Sequence, residues 1–268
     1  MTSLVDRVAA LLGVGVRSAM PLTGGDLSAV VRVLLADGST VVAKGRDRAE
    51  DEADMLRAIA AASVPAPTVL AAAPGCLVME RLPADGRLSD AWSDLGAVTR
   101  RLHAVTGARY GWPVDFAFGP VPIINTWSED WPAFWAEQRL LVFESSLPVD
   151  LARRVARIAR DLPNRLPRRP APSLLHGDLW TGNVLVHGRR VSGLIDPACY
   201  YGDAAVDLAM LRLFGQPSAA FLDTHGNFDP GSDGRLPIYQ LWPALVHFRL
   251  FGRGYRPLLE QTLDASGG

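Results

Sequence analysis

Residues 174–186, LLHGDLWTGNVLV, place a short polar loop between two apolar runs. The apolar runs are typical of buried strands, whereas the loop carries an acid, Asp178, and an amide, Asn183. Both residue types favour turns, so a simple turn is the first interpretation. A second acid, Asp196, directly follows the strand-like stretch 191–195, which the HGRR turn would pair with residues 184–186. The sequence therefore predicts that Asp178, Asn183 and Asp196 face one space.

An acid, an amide and a second acid around one space suit a hard cation such as Mg²⁺, which prefers oxygen ligands. Protein kinases place a catalytic Asp and a metal-binding Asn at the spacing HRDxxxxN, and a further Asp on the metal. Here the spacing is the same, but Gly177 stands where those kinases carry arginine. The pattern favours a small-molecule kinase, with Asp178 as base and with Asn183 and Asp196 as magnesium ligands. His176 is expected to be a structural, hydrogen-bonded histidine.

Lys44 is the only lysine of the chain. A lysine is a compact charge that approaches a phosphate closely, and Lys44 ends the second strand of a predicted hairpin, 28–35 and 39–44. Glu52 falls on the apolar side of the following helix, 47–62, so it is predicted as the partner of Lys44, with Glu50 as the second choice. Asp47 and Glu50 are placed like a capping box for that helix.

Two further stretches are candidates for nucleotide contacts. The turn at 23–28 precedes the hairpin, and the backbone N–H groups of Gly24 and Gly25 are expected to cover phosphates. Glu80 and Leu82 lie where the chain would pass between two lobes, and backbone groups there would hydrogen-bond adenine. A Gly-Gly pair is more often only a turn, so this part of the prediction depends on its position.

The order of elements predicts an α+β, bilobal architecture. Residues 1–82 are predicted to form a small nucleotide-binding lobe with a helix at 3–15, the hairpin, the helix 47–62 and a strand at 76–82. Residues 83–268 read as a larger, mostly helical catalytic and acceptor-binding lobe. Its predicted helices cover 89–105, 131–145, 148–162, 203–214, 237–252 and 255–264, and the segment 215–236 is predicted to be an irregular loop.

Composition excludes several other classes. A net charge of −1 over 268 residues offers no basic field for nucleic acid. Two cysteines, Cys76 and Cys199, show no metal or disulfide spacing, which favours a reducing, cytoplasmic location. The charge-free run 58–79 is broken by prolines, so we expect no membrane span. The N-terminus has no basic stretch of the kind that opens a signal peptide.

With these residues considered together, the chain resembles the fructosamine/ketosamine kinase family, within the aminoglycoside-phosphotransferase-like, protein-kinase-like fold. The resemblance runs from about residue 4 to 262. It is carried most specifically by LLHGDLWTGNVLV (174–186) and LIDPACYYGDAAVDLAML (194–211), with support from EADMLRAI (52–59), LVMERLP (77–83), WPAFWAEQRL (131–140) and LPIYQLWPALVHF (236–248).

The resemblance implies ATP- and Mg²⁺-dependent phosphorylation of a sugar hydroxyl on a ketosamine, a small glycated amine. We also expect the protein to be a monomer. It implies the roles already given for Lys44, Glu52, Asp178, Asn183 and Asp196. It also implies that Asp207 braces the catalytic loop, although a helix cap is its simpler interpretation. Trp180 and the loop near Asp115 are expected to approach the substrate.

One departure from the family pattern concerns the segment GWPVDFAFGPVPIIN, 111–125. Phe116 stands where the family often has asparagine, and Ile123-Ile124 replaces a more polar pair. A more apolar or smaller amine adduct is one hypothesis. The alternatives are an aminoglycoside-type or other hydroxyl kinase, or a non-catalytic nucleotide-binding module; the last predicts loss of Lys44, Asp178, Asn183 or Asp196, and all are present.

Overall fold

The computed structural model describes residues 3–22, 28–226 and 231–268. The predicted phosphate turn with Gly24 and Gly25 lies outside these residues. Within the described ranges, no helix combines the length and the apolar character that a membrane crossing requires.

The N-terminal part is built on a five-stranded antiparallel sheet. In chain order its elements are α1 (Leu4–Leu12), β1 (Val16–Pro21), β2 (Ala29–Leu35), β3 (Thr40–Gly45), α2 (Ala49–Ala61), β4 (Val69–Ala73) and β5 (Cys76–Glu80). The strands lie in the order β1-β2-β3-β5-β4. The predicted hairpin is confirmed as β2 and β3, whereas β1 and β4 escaped prediction because β1 is mostly exposed and β4 is largely alanine.

Local sequence sets the ends of the first helices. Helix α1 begins with a capping box, in which the Ser3 side chain accepts from Asp6 N and the Asp6 side chain accepts from Ser3 N, and it ends at Gly13 in the left-handed conformation. The capping box predicted for α2 from Asp47 and Glu50 is wrong, since α2 begins after Arg48 with no side-chain cap. Three acids in its first turn complement the helix dipole instead.

The C-terminal part is mostly helical, so the α+β class is confirmed. Its helices are α3 (Trp92–His103), α4 (Trp131–Trp135), α5 (Val149–Arg165), α6 (Ala205–Leu213), α7 (Ala219–His225), α8 (Ser232–Phe251) and α9 (Arg256–Ala265). Short strands stand between them: β6 (Phe116–Phe118), β7 (Val121–Ile123), β8 (Ser173–Leu175), β9 (Val184–His187), β10 (Arg190–Leu194) and β11 (Tyr200–Gly202).

Three predictions about this part need correction. Helix α7 lies inside the segment 215–236, which was predicted to be an irregular loop, and α5 continues past Pro163. Proline lacks the N–H that would bond to the carbonyl four residues back, and its ring crowds that carbonyl, so a helix was expected to end before it. Here α5 continues for two residues beyond Pro163. The segment predicted as one helix over 131–145 begins as α4 and then continues through a π turn, 136–140, and a 3₁₀ turn, 141–146.

Helix α2 packs against both parts of the molecule. Ala49, Ala53 and Leu56 contact Leu77 and Met79 of β5, while its other apolar positions belong to the large C-terminal core, namely Met55 and Ile59. A helix that buries both of its flanks is held firmly in place. It therefore fixes Glu52 at the junction between the sheet and the helical part.

Candidate active site

The polar loop of the opening stretch connects two separate ribbons. Strand β8, before the loop, pairs with β11, and β9, after it, pairs with β10. Ile195 N donates to the Asn183 carbonyl at 3.0 Å, which brings the start of β9 beside the residue before Asp196. The predicted convergence of Asp178, Asn183 and Asp196 is confirmed in this sense: all three line one cavity.

Gly177 is required by the path of this loop. Its φ is +79°, a conformation that side chains rarely adopt. A Cβ atom at this position would lie 2.0 Å from the Ala198 carbonyl oxygen. The loop can pack against residue 198 only because position 177 has no side chain.

His176 has no exposed surface and connects the loop to β10. Its Nε2–H donates to the Ile195 carbonyl at 3.0 Å, and its Nδ1 accepts from Asp178 N at 3.3 Å. Burial lowers the pKa of the imidazole, so the ring is neutral and serves as a spacer. These contacts match the structural use expected of His176.

Asp178 is half-buried and hydrogen-bonded to Asn183. Asn183 Nδ2 donates to the Asp178 carboxylate at 3.0 Å and to its backbone carbonyl at 2.8 Å. Burial raises the pKa of Asp178 to about 7; the hydrogen bond from Asn183 opposes that rise, and the charge of Asp196 adds to it. A carboxyl group with its pKa near neutrality is suited to accept a proton during a reaction.

Across the cavity, Asp196 contacts Lys44, which belongs to β3 of the N-terminal sheet. Lys44 Nζ lies 2.7 Å from Asp196 Oδ1 and 2.9 Å from Glu52 Oε1. Lys44 and Glu52 are both buried. Their contact agrees with the pairing predicted from helical spacing. Asp196 itself has a φ of +55°, which acidic side chains tolerate better than most others.

Arg46 is a cation of this site that the sequence analysis missed. Its Nη1 donates to Glu52 Oε2 at 3.0 Å, and its Nη2 donates to the Ala117 carbonyl at 2.7 Å. The guanidinium also lies over the Phe116 ring, 4.5 Å from its centroid. The sequence spacing could have identified Arg46, because it lies two residues after Lys44 and alternate residues of a strand point to the same face.

Asp207, on α6, holds the backbone of the loop. Its two carboxylate oxygens accept from His176 N at 2.8 Å and from Gly177 N at 2.9 Å. His103 Nε2 also lies 3.0 Å from Asp207, and His103 Nδ1 lies 3.0 Å from His225 Nε2. Although burial alone would raise the pKa of Asp207, the hydrogen bond and charge of His103 hold it below its ordinary value.

The bracing contact expected of Asp207 is therefore present, and two buried histidines extend it. Neither His103 nor His225 was identified from the sequence. Residues 103, 207 and 225 belong to α3, α6 and α7, and nothing in their spacing along the chain signals that these helices meet there.

The cavity at this site has a volume of about 310 Å³, within the range of small-molecule sites. Trp180 lines it and is 38% exposed. A Cβ atom at Gly182 would lie 2.3 Å from the Trp180 ring, so Gly182 allows the indole to fold back over the loop.

Three of the predicted contact residues do not line this cavity. Asp115 uses its carboxylate to accept from Asn125 N at 2.7 Å, and the residue of the following strand that does line the cavity is Phe118. Glu80 accepts from the Thr68 hydroxyl at 2.7 Å at the end of β5. Leu82 packs against β10, where a Cβ atom at Gly193 would lie 2.2 Å from it. An adenine contact by the backbone at Glu80 and Leu82 stays a prediction.

The donor atoms of the site are oxygens, which fits a hard divalent cation. Asn183 commits its amide nitrogen to Asp178, so its amide oxygen could serve as a metal ligand, and Asp196 could supply a carboxylate. In the parts of the chain that the structure describes, no group of three His, Cys, Asp or Glu side chains forms a metal cluster. The set is thus two acids and one amide, the combination of kinase sites, in which phosphate oxygens complete the coordination.

Comparison with known proteins identifies close relatives. The sequence profile described as fructosamine kinase matches residues 15–266. A "Probable ketoamine kinase" from Synechocystis sp. is 39% identical over 201 residues, which cover 70% of this chain and 66% of that protein. The chain thus spans slightly less than two thirds of that relative's length.

Solved structures agree with the sequence matches. A "putative fructosamine-3-kinase" from Thermobifida fusca YX-ER1 has a TM-score of 0.89 and 31% identity, covering 98% of each chain. The aminoglycoside phosphotransferase APH(4)-Ia is similar with a TM-score of 0.69 over the whole of both chains, at 18% identity. The second likeness shows the fold alone, and it confirms the predicted bilobal, protein-kinase-like architecture.

Proposed function

This chain belongs to the fructosamine kinase family, and from that premise we propose that it transfers the γ-phosphoryl group of ATP to a sugar hydroxyl of a ketosamine. The substrate is a small glycated amine, the condensation product of a reducing sugar with a primary amine after rearrangement. The names of the relatives support this substrate class, and the cavity supports the reaction.

In the proposed reaction, Asp178 orients the acceptor hydroxyl and takes its proton. The hydroxyl oxygen forms a new bond to the γ-phosphorus, and the bond between that phosphorus and the bridging oxygen of ADP breaks. A carboxylate with its pKa raised to about 7 holds the proton better than an ordinary aspartate. Asn183 fixes the direction of that carboxylate through its hydrogen bond at 3.0 Å.

Negative charge on the phosphates requires several cationic groups. We assign Mg²⁺ to Asn183 and Asp196, where it would neutralise charge on the phosphate oxygens. Lys44, held by Glu52, would bind the phosphates, and Arg46 would supply a second cation on the same side of the cavity. The predicted phosphate turn at Gly24 and Gly25 would add backbone donors. Asp207 and His176 keep the loop in place.

The observation that carries the proposal is the contact between Lys44 and Asp196, 2.7 Å apart in the cavity that also holds Asp178 and Asn183. Residues from the N-terminal sheet and from the helical part are thereby assembled as phosphoryl transfer requires. An aminoglycoside substrate carries several positive charges. The described residues lining the cavity include only two acids, Asp178 and Asp196, and both belong to the reaction centre.

The test is ADP release with ATP and Mg²⁺ in the presence of fructosyl-amines, ribulosyl-amines and one aminoglycoside. Turnover of a ketosamine that falls about 10²–10⁴-fold in Asp178→Asn supports both the reaction and the base. Asp161→Asn, on the exposed side of α5, is the matched control and is expected to keep full activity. Absence of turnover with every ketosamine would refute the proposal, and turnover of the aminoglycoside alone would favour the alternative.

A further inference from the structure

One side of the cavity is formed by a continuous series of aromatic rings, which we call the aromatic wall: Phe214, His247, Phe251 and Tyr255. The ring centroids of Phe214 and His247 are 4.7 Å apart, and those of His247 and Tyr255 are 5.1 Å apart. Phe251 closes the series, with its centroid 5.4 Å from that of Tyr255. These residues come from the end of α6, from α8 and from the turn after α8.

The aromatic wall begins at the reaction centre. The Trp180 ring contacts Phe214 edge-on, with centroids 6.5 Å apart, and Trp180 is two residues from Asp178. A sugar whose hydroxyl meets Asp178 would therefore have the rest of its molecule directed along the wall. In a ketosamine, that remaining part is the amine and its substituent.

This side of the cavity has no ionised side chain among the described lining residues. The charged lining residues all lie at the reaction centre, namely Lys44, Arg46, Asp178 and Asp196. His247 Nδ1 donates to the Pro243 carbonyl at 2.8 Å, and burial lowers its pKa, so its ring is neutral at pH 7. The other residues on this side are apolar, namely Met210, Trp242, Pro243, Val246 and Leu250.

A carboxylate on the substituent would find no partner on this wall, and removing its hydration would cost free energy. An apolar substituent would instead cover aromatic surface that is now in contact with water, since Phe251 is 42% exposed and Trp180 is 38% exposed. The protonated nitrogen that every ketosamine carries beside its sugar is compatible with the site, because aromatic faces attract ammonium groups.

We propose that the preferred substrates are ketosamines whose amine carries an aryl or other apolar group, and that the aromatic wall binds this group. The inference rests on the proposed function and narrows its substrate class. It differs in cause from the hypothesis drawn from the sequence, because Phe116 and Ile123 are buried in the core and do not line the cavity.

The experiment compares three ketosamines that share one sugar, made from phenethylamine, ethylamine and lysine, in both a fructose and a ribulose series. The first two differ only by a phenyl ring, and the third ends in charged groups. We expect kcat/KM for the phenethylamine adduct to exceed that for each of the others by about tenfold or more. Equal values, or a preference for the lysine adduct, would overturn the inference while leaving the proposed function intact.

Substitutions test whether the aromatic wall causes the preference for the phenethylamine adduct. Phe251→Ala is expected to lower kcat/KM for the phenethylamine adduct by about fivefold or more and to change the ethylamine value less than about twofold. Leu70→Ala, which removes an equally exposed apolar side chain from β4, is the control and should change neither value. If Phe251→Ala lowers both values equally, the wall does not select the substituent. If no ketosamine reacts with the unmodified protein, the proposed function fails and this inference fails with it.

Discussion

At the scale of single residues, Asp178 combines a chemical advantage with a cost in stability. Its pKa is raised from 3.8 to about 7, chiefly by burial. An acid with a raised pKa binds protons more strongly in the folded state than in the unfolded chain. The free energy of unfolding therefore falls as pH rises through the interval between those two values.

We expect Asp178→Asn to stabilise the protein in buffer without nucleotide or divalent metal at pH 8. Asparagine has the same shape and can still accept from Asn183, but it carries no charge to be buried. Because Asp178 is only half-buried, the gain should be about 1 kcal/mol, or roughly 2–4 °C in Tm. Thermal unfolding measures it. At pH 5 the difference should shrink, and an equal or lower Tm at pH 8 would contradict the explanation.

Gly177 gives a second prediction at this scale. Gly177→Ala forces a side chain into a left-handed conformation and into the Ala198 carbonyl. We expect the free energy of unfolding to fall by about 2–4 kcal/mol, measured by urea denaturation. Gly188→Ala is the matched control, because its φ is +56° but no atom lies within 4 Å of the added carbon. It should cost only about 1 kcal/mol, and equal losses would show that the close approach to Ala198 is unimportant.

At the scale of elements, the polar loop that carries Asp178 depends on α6 for its shape. Asp207 is the only residue of this helix that accepts from His176 N and Gly177 N in the described structure. The His103 contact then links α6 to α3, and His225 links α3 to α7. Helix α6 therefore holds the Asp178 loop directly, through the Asp207 carboxylate. Helices α3 and α7 act on the loop only through their contacts with that carboxylate and with each other.

Replacing Asp207 with asparagine should separate positioning from nucleotide binding. An amide can accept at only one of its two ends, so one loop N–H loses its acceptor inside the core. We expect kcat to fall about tenfold or more, KM for ATP to change little, and the free energy of unfolding to drop by about 3 kcal/mol. The exposed Asp223→Asn on α7 is the control. A rise in KM for ATP without loss of kcat would contradict a positioning role.

At the scale of the whole molecule, Arg46 joins the N-terminal sheet to the helical part. It binds Glu52 on α2 and the carbonyl of Ala117 on β6. The same glutamate holds Lys44, which in turn reaches Asp196 beyond β10. The two parts of the molecule are therefore connected through one buried carboxylate that two cations share.

Arg46→Gln should weaken this connection. We expect the free energy of unfolding to fall by about 2–3 kcal/mol, because a charge-assisted hydrogen bond to buried Glu52 is lost, and KM for ATP to rise severalfold as Lys44 becomes less well held. Arg57→Gln removes an exposed arginine paired with Asp54 on the same helix and should change stability by less than about 0.5 kcal/mol. Steady-state kinetics and urea denaturation measure both variants; matching losses would argue against a special place for Arg46.

Elements with strong local signals were predictable from the sequence, and elements without them were not. The hairpin of β2 and β3 and the ribbon of β9 and β10 have apolar runs on both sides of polar turns, and both were predicted close to their observed bounds. The exposed strand β1 and the alanine-rich strand β4 lack that contrast. They are stabilised by pairing with neighbouring strands, which the local sequence does not indicate. Helix α7 was not predicted because its apolar pattern is too short to indicate a helix, and the helix is stabilised by packing on α3.

Sequence spacing was enough to predict the polar groups of the site: an acid and an amide at kinase spacing, a further acid after the next strand, and a single lysine with an inward acid on the following helix. Spacing within a helix or a hairpin fixes relative position, so these contacts could be predicted. The tertiary structure was needed to show that two histidines lie behind Asp207 and that an aromatic wall lines the cavity beside Trp180. Those groups come from distant segments, and long-range packing, which no local pattern encodes, brings them together.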